Sequence, residues 1–133
     1  MDNNRLPGED RRRFQRLKVN LSVWLELDGH FQLSCLAKGQ EVEAAALDLG
    51  CGGIAIACKY DIPVAALLRI RFHLFKTDNK GTVTFYEPVE AIGQVRSNII
   101  LEPGLYRLGV CFEEISVKDS LEIHHFVTMA HSA

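Results

Sequence analysis

LKVNLSVWLEL, residues 17–27, alternates apolar and polar side chains without a break. Leu17, Val19, Leu21, Val23, Leu25 and Leu27 share one side, and Lys18, Asn20, Ser22, Trp24 and Glu26 the other. A period of two marks a β-strand with one wet face, because successive side chains leave a strand on opposite sides. A helix would scatter the same leucines around its circumference. Trp24 falls on the polar face, where a bulky ring is expected to lie under the terminal helix or a neighbouring loop.

The same pattern recurs downstream. Asp28-Gly29 signals a turn, and residues 30–41 are mixed. Residues 41–49 read as a second strand, ended by Gly50-Cys51-Gly52-Gly53, and Ile54-Ala55-Ile56-Ala57-Cys58 as a third. After a turn at residues 61–63, LLRIRFHLF (residues 67–75) sets Leu68, Ile70, Phe72 and Leu74 against Arg69, Arg71 and His73. KTDNKG (residues 76–81) is a surface loop. Residues 83–100 read as extended, with a break or bulge expected near Pro88, and Glu102-Pro103-Gly104 as a turn. YRLGVCF then alternates again, with Tyr106, Leu108, Val110 and Phe112 inward.

At Ser116 the period changes. Ser116 and Asp119 form a variant capping box, and Ile123, Phe126, Val127 and Ala130 recur at helical spacing. The chain therefore reads as all-β with one C-terminal α-helix: a small six-stranded antiparallel barrel of Greek-key type with the helix over an opening. With 133 residues, 47% of them hydrophobic, it is long enough for one core. The expected organisation is a flexible leader over residues 1–10 and one barrel domain over residues 11–133, its helix at residues 116–131.

Several function classes lose support. No apolar run approaches the roughly 20 residues of a membrane span, and the N-terminus lacks the apolar stretch of a signal peptide, which points to a cytoplasmic protein. Cys35, Cys51, Cys58 and Cys111 form no CxxC pair and read as reduced, small core residues. His124, His125 and His131 offer no ligand set, since adjacent helix positions diverge by about 100°. His30 and His73 have no evident partner. There is no GxSxG elbow, no Cys–His spacing and no Walker-type loop, so neither an enzyme nor a metal or other cofactor is expected.

What stands out lies just ahead of the first strand. Residues 11–16, RRRFQR, place Arg11, Arg12, Arg13 and Arg16 in six positions. Residues 1–18 carry six basic groups against three acids, while the remainder is acidic, at nine against fourteen. Such a local excess suits a small anion; long nucleic acid would call for a whole basic face. Arg12 and Arg16 share a face in either an extended or a helical segment. A guanidinium fork fits phosphate bidentately, grips the O6/N7 edge of guanine and stacks on a base. The plain alternative is a solvated leader.

A second motif is DLGCGG, residues 48–53. Asp48 sits at a strand end, where a carboxylate can accept from N1 and N2 of guanine, a pairing adenine does not offer. The glycines permit positive φ and close backbone approach. Alone, this is also how a bulge or a hairpin turn reads.

Together the motifs resemble the PilZ domain, the bacterial receptor module for cyclic di-GMP. That family carries RxxxR, often RRxxxR, just before its first barrel strand and [D/N]xSxxG at the end of its second. The first is complete here in residues 11–16. The second matches at Asp48 and Gly53, with Gly50 at the serine position. The strand order, the LYRLGVCF strand and the closing helix extend the likeness over nearly the whole chain.

The resemblance implies that Arg11, Arg12 and Arg16 meet phosphates and guanine edges, Asp48 a guanine base, and Gly53 a closely approaching ligand. Gly50 belongs to the same site, and Arg13 and Arg96 are further candidates, Arg96 because GQVRS resembles a strand with an extra contact in some relatives. The implied ligand is cyclic di-GMP, and the implied partner a downstream protein effector that reads an ordering of the leader. The alternative is a PilZ-like protein-interaction adaptor that has lost the dinucleotide. Losing the serine hydroxyl costs about 0.5–1.5 kcal/mol, or ~3 opposite a phosphate. Truncating Arg12 or Arg16 costs more, about 2–5 kcal/mol by analogy with buried interfacial charge pairs.

Overall fold

The computed structural model describes residues 16–28, 36, 37 and 39–132. Six strands and a helix follow in order: β1 (Arg16–Leu27), β2 (Val42–Gly50), β3 (Gly53–Cys58), β4 (Leu67–Thr77), β5 (Val83–Glu102), β6 (Leu105–Ile115) and α1 (Val117–Ser132). All neighbouring strands are antiparallel, and they close into a barrel in the order β1-β2-β3-β6-β5-β4. β4, β5 and β6 are consecutive neighbours while β3 returns beside β6, which is the Greek-key element. Closure removes the sheet edges that an open six-stranded sheet would present.

The alternation seen in the sequence fills the interior. Val23, Leu25 and Leu27 of β1, Leu68, Ile70, Phe72 and Leu74 of β4, and Leu108 and Val110 of β6 are buried. Leu17, Val19, Leu21, Tyr106 and Phe112 are partly buried against the same cluster. Ser116 caps α1 by accepting from the backbone N–H of Asp119 at 3.0 Å. The reciprocal arm of the capping box differs from expectation: the Asp119 carboxylate accepts from the backbone N–H of Glu90 at 3.2 Å and ties the helix to β5. Ile123, Phe126 and Val127 enter the core.

Two expectations are corrected. β5 runs unbroken through Pro88, which pairs in regular register with His73. The N–H of Glu90 leaves β5 on the side away from β4, so by the period of two the missing N–H of Pro88 belongs to that side too, where pairing with β6 begins only at Ala91. The proline therefore removes no ladder bond. Irregularities fall instead at Ile92/Gly93, Val95/Ser97 and Ile100/Glu102 in the pairing with β6, and between Val83 and Phe85 in the pairing with β4. Trp24 packs edge-on against His73 of the adjacent strand, ring centroids 6.4 Å apart, in a groove that Asp119 of α1 also lines. No described helix is long and apolar enough to cross a membrane.

Candidate functional site

The β1–β2 register sets the site. Arg16, the first residue of β1, stands opposite Gly50, and Lys18 opposite Asp48. Next to Asp48 the β2–β3 pairing shifts by one residue, so that Ala46 faces Ile56 and Asp48 faces Ala55. Such a bulge re-aims the side chain beside it. Asp48 comes to lie on the outer face of the barrel, its side chain 15% exposed.

Two arginines hold its carboxylate. Arg16 donates from Nε to Oδ1 at 2.9 Å and from Nη2 to the same oxygen. Arg107 of β6 donates from Nη2 to Oδ2 at 3.2 Å. Arg107 has to cross all of β3 to get there, two strand spacings or about 10 Å. β3 makes room: its inward residues are Ile54 and Ile56, while its outward ones on this side are Ala55 and Ala57. Ala57 pairs directly with Arg107. Ala55 belongs to the outer face yet is 1% exposed, as expected for a methyl group roofed by the ion pairs above it.

Two guanidiniums hold the carboxylate, and Lys18, its register partner on β1, adds a third cation to the same patch. The group carries an excess of positive charge on a shallow floor of small residues, which suits a flat ligand bearing phosphate. The partly exposed guanidiniums keep donors for a further acceptor, since each has five N–H groups.

Not every sequence-derived residue joins the group. Arg16 and Asp48 meet, and Gly50 lies in the same row as Arg16, paired with it on one side and with Gly53 on the other. Gly53 packs against protein: a Cβ there would sit 2.2 Å from the carbonyl oxygen of Val110. Arg96 points elsewhere, pairing with Glu113 at 3.1 Å and 60% exposed. Arg11, Arg12 and Arg13 lie outside the described residues, as do the leader, His30 and Cys35.

Arg107 is the residue that sequence reasoning missed. It stands on the polar side of an alternating strand, the ordinary place for a solvated arginine. The signal that could have found it is the pair of outward alanines in GIAIAC, since a solvated face would more often be polar there.

Cys51, in the turn between β2 and β3, ties that turn to the helix through a 3.8 Å contact from its thiol to the carbonyl oxygen of Ser120. Burial raises its pKa above the ordinary thiol range. Cys51, Cys58 and Cys111 are not disulfide-bonded.

A search of curated proteins found no match. Among solved structures, the chain is similar to the Bacillus subtilis inhibitor of motility (MotI/DgrA), with TM-score 0.70 and 16% identity over 96% of this chain. It spans 56% of that protein's length. It is also similar to the PilZ domain of YcgR from Escherichia coli with c-di-GMP, with TM-score 0.59 and 14% identity over 92% of this chain and 93% of that one. The Borreliella burgdorferi PlzA protein in complex with c-di-GMP gives TM-score 0.53 and 16% identity over 90% of this chain and 42% of that one. At these identities the likeness is one of fold. The family pattern of the PilZ domain, however, matches residues 10–128, and by that match the chain belongs to the PilZ domain family.

Proposed function

We propose that this protein is a cytoplasmic receptor for cyclic di-GMP, acting by binding and not by catalysis. Arg16 of the first motif and Asp48 of the second lie in contact on the outer face of the barrel, and this carries the reading. Arg11 and Arg12, just before β1, are within chain reach of the same spot. In this account their guanidiniums take phosphates and guanine O6/N7 edges while Asp48 accepts from guanine N1 and N2. Ordering of the leader around the dinucleotide changes the surface that a downstream protein reads. The YcgR and PlzA structures, both described with c-di-GMP, support the choice of ligand.

Titration calorimetry tests the reading. Wild-type protein is expected to bind cyclic di-GMP at micromolar concentration or tighter, about −8 kcal/mol. Arg12→Ala or Arg16→Ala is expected to abolish the heat signal. A wild type that gives no binding heat at low salt removes the proposal. The second reading, a protein-interaction adaptor without a dinucleotide, has Gly50 at the serine position in its favour. It predicts partner capture unchanged by nucleotide and by Arg16→Ala.

A further inference from the structure

The two arginines at Asp48 are not equivalent. Arg16 is the first residue of β1 and is paired only with β2, since the β1–β4 register begins at Val23. Arg107, the third residue of β6, is paired on both sides, with Ala57 of β3 and with Ile99 of β5. One guanidinium hangs from a strand end; the other is anchored in the barrel wall. They also hold different oxygens, both Arg16 contacts falling on Oδ1 and the Arg107 contact on Oδ2.

We infer that Arg107 is a positioning residue that keeps the Asp48 carboxylate aimed when Arg16 turns to the ligand, and so sets the preference for guanine. The inference rests on the receptor reading above. Guanine offers two donors on one edge, N1–H and the N2 amino group, and needs both carboxylate oxygens in its plane. Each oxygen has two lone pairs. Departure of Arg16 clears Oδ1, while Arg107 occupies one lone pair of Oδ2 and leaves the other.

The terminal torsion of an aspartate is broad and two-fold, so a carboxylate released by both arginines would lose its orientation. A mostly buried carboxylate left without an ion-pair partner would also be penalised. Arg107 prevents both, and it does so without touching the base. What it controls is the part of the affinity that depends on the N2 amino group.

Calorimetry with cyclic di-GMP and with its inosine analogue, which lacks N2, separates this from general support of the fold. Wild type is expected to prefer the guanine ligand. In Arg107→Ala, affinity for cyclic di-GMP falls about ten- to hundredfold, the worth of a charge-assisted contact, while the inosine analogue loses less, so the preference shrinks. Arg107→Lys, which keeps a cation within reach of Oδ2, restores part of the preference. Should Arg107→Ala fail to fold, Arg107→Met keeps the side-chain length over Ala57 and is read the same way. A preference unchanged in the variant, whether both affinities persist or both fall equally, overturns the inference and leaves the receptor reading standing. A wild type that binds neither ligand overturns both.

Discussion

Gly53→Ala is expected to destabilise the barrel with no ligand present. The added methyl carbon would lie 2.2 Å from the Val110 carbonyl oxygen and 3.2 Å from the Cys111 Cα. The first distance is more than 1 Å inside ordinary van der Waals contact, and the obstacle is backbone, which has no rotamer to change. β3 must therefore back away from β6 at its first pair, Gly53↔Cys111. Overpacking of this kind costs about 1–3 kcal/mol. Loss of one ladder hydrogen bond adds about 1 kcal/mol. For a chain between the usual small and large reference domains, a total of about 3 kcal/mol lowers the melting temperature by ~10 °C. The assay is thermal and urea denaturation of ligand-free protein followed by circular dichroism. A Gly53→Ala variant that melts with the wild type refutes the steric argument and leaves ligand approach as the reason for a glycine at this position.

Restoring the family serine by Gly50→Ser should tighten cyclic di-GMP binding about 3- to 100-fold, the worth of one hydroxyl contact, as read by calorimetry. Ser116→Ala removes the cap on α1 and should lower the unfolding free energy by about 1 kcal/mol in urea, with the transition still cooperative. Cys51 should alkylate more slowly with iodoacetamide than a peptide thiol, because burial favours its neutral form. Its raised pKa gives a sign for pH. The stabilisation is complete below the ordinary thiol value, about 8.5, and is lost as pH rises through the higher folded value. Peptide mapping after timed labelling reads the rate, and a Cys51 that reacts as fast as a peptide thiol contradicts the burial.

Most of the barrel was legible because each strand carries its own period. Leu68, Ile70, Phe72 and Leu74 announce their side of β4 whatever β4 pairs with. Pro88 misled because local chemistry says that a proline lacks a donor, but not on which side of β5 that donor would have been needed. The site was half legible for the same reason. Arg16 and Asp48 stand out as motif residues 32 positions apart. Arg107, 59 positions from Asp48, becomes its partner only because β6 lies next to β3, a fact of topology that no local pattern carries. Gly53 carried two signals that sequence does not separate, room for a ligand and room for a strand, and the described contacts supply the second. Arg96 shows the converse: an arginine in a suggestive stretch that the β5–β6 irregularity turns toward Glu113.

A crystal structure of the protein with cyclic di-GMP would show whether Asp48 reads a guanine edge. A guanine edge is expected within hydrogen-bonding distance of both Asp48 oxygens, with Arg16 moved onto the dinucleotide and Arg107 still on Oδ2. A dinucleotide bound on another face, with Asp48 still bridged by Arg16 and Arg107, would contradict it.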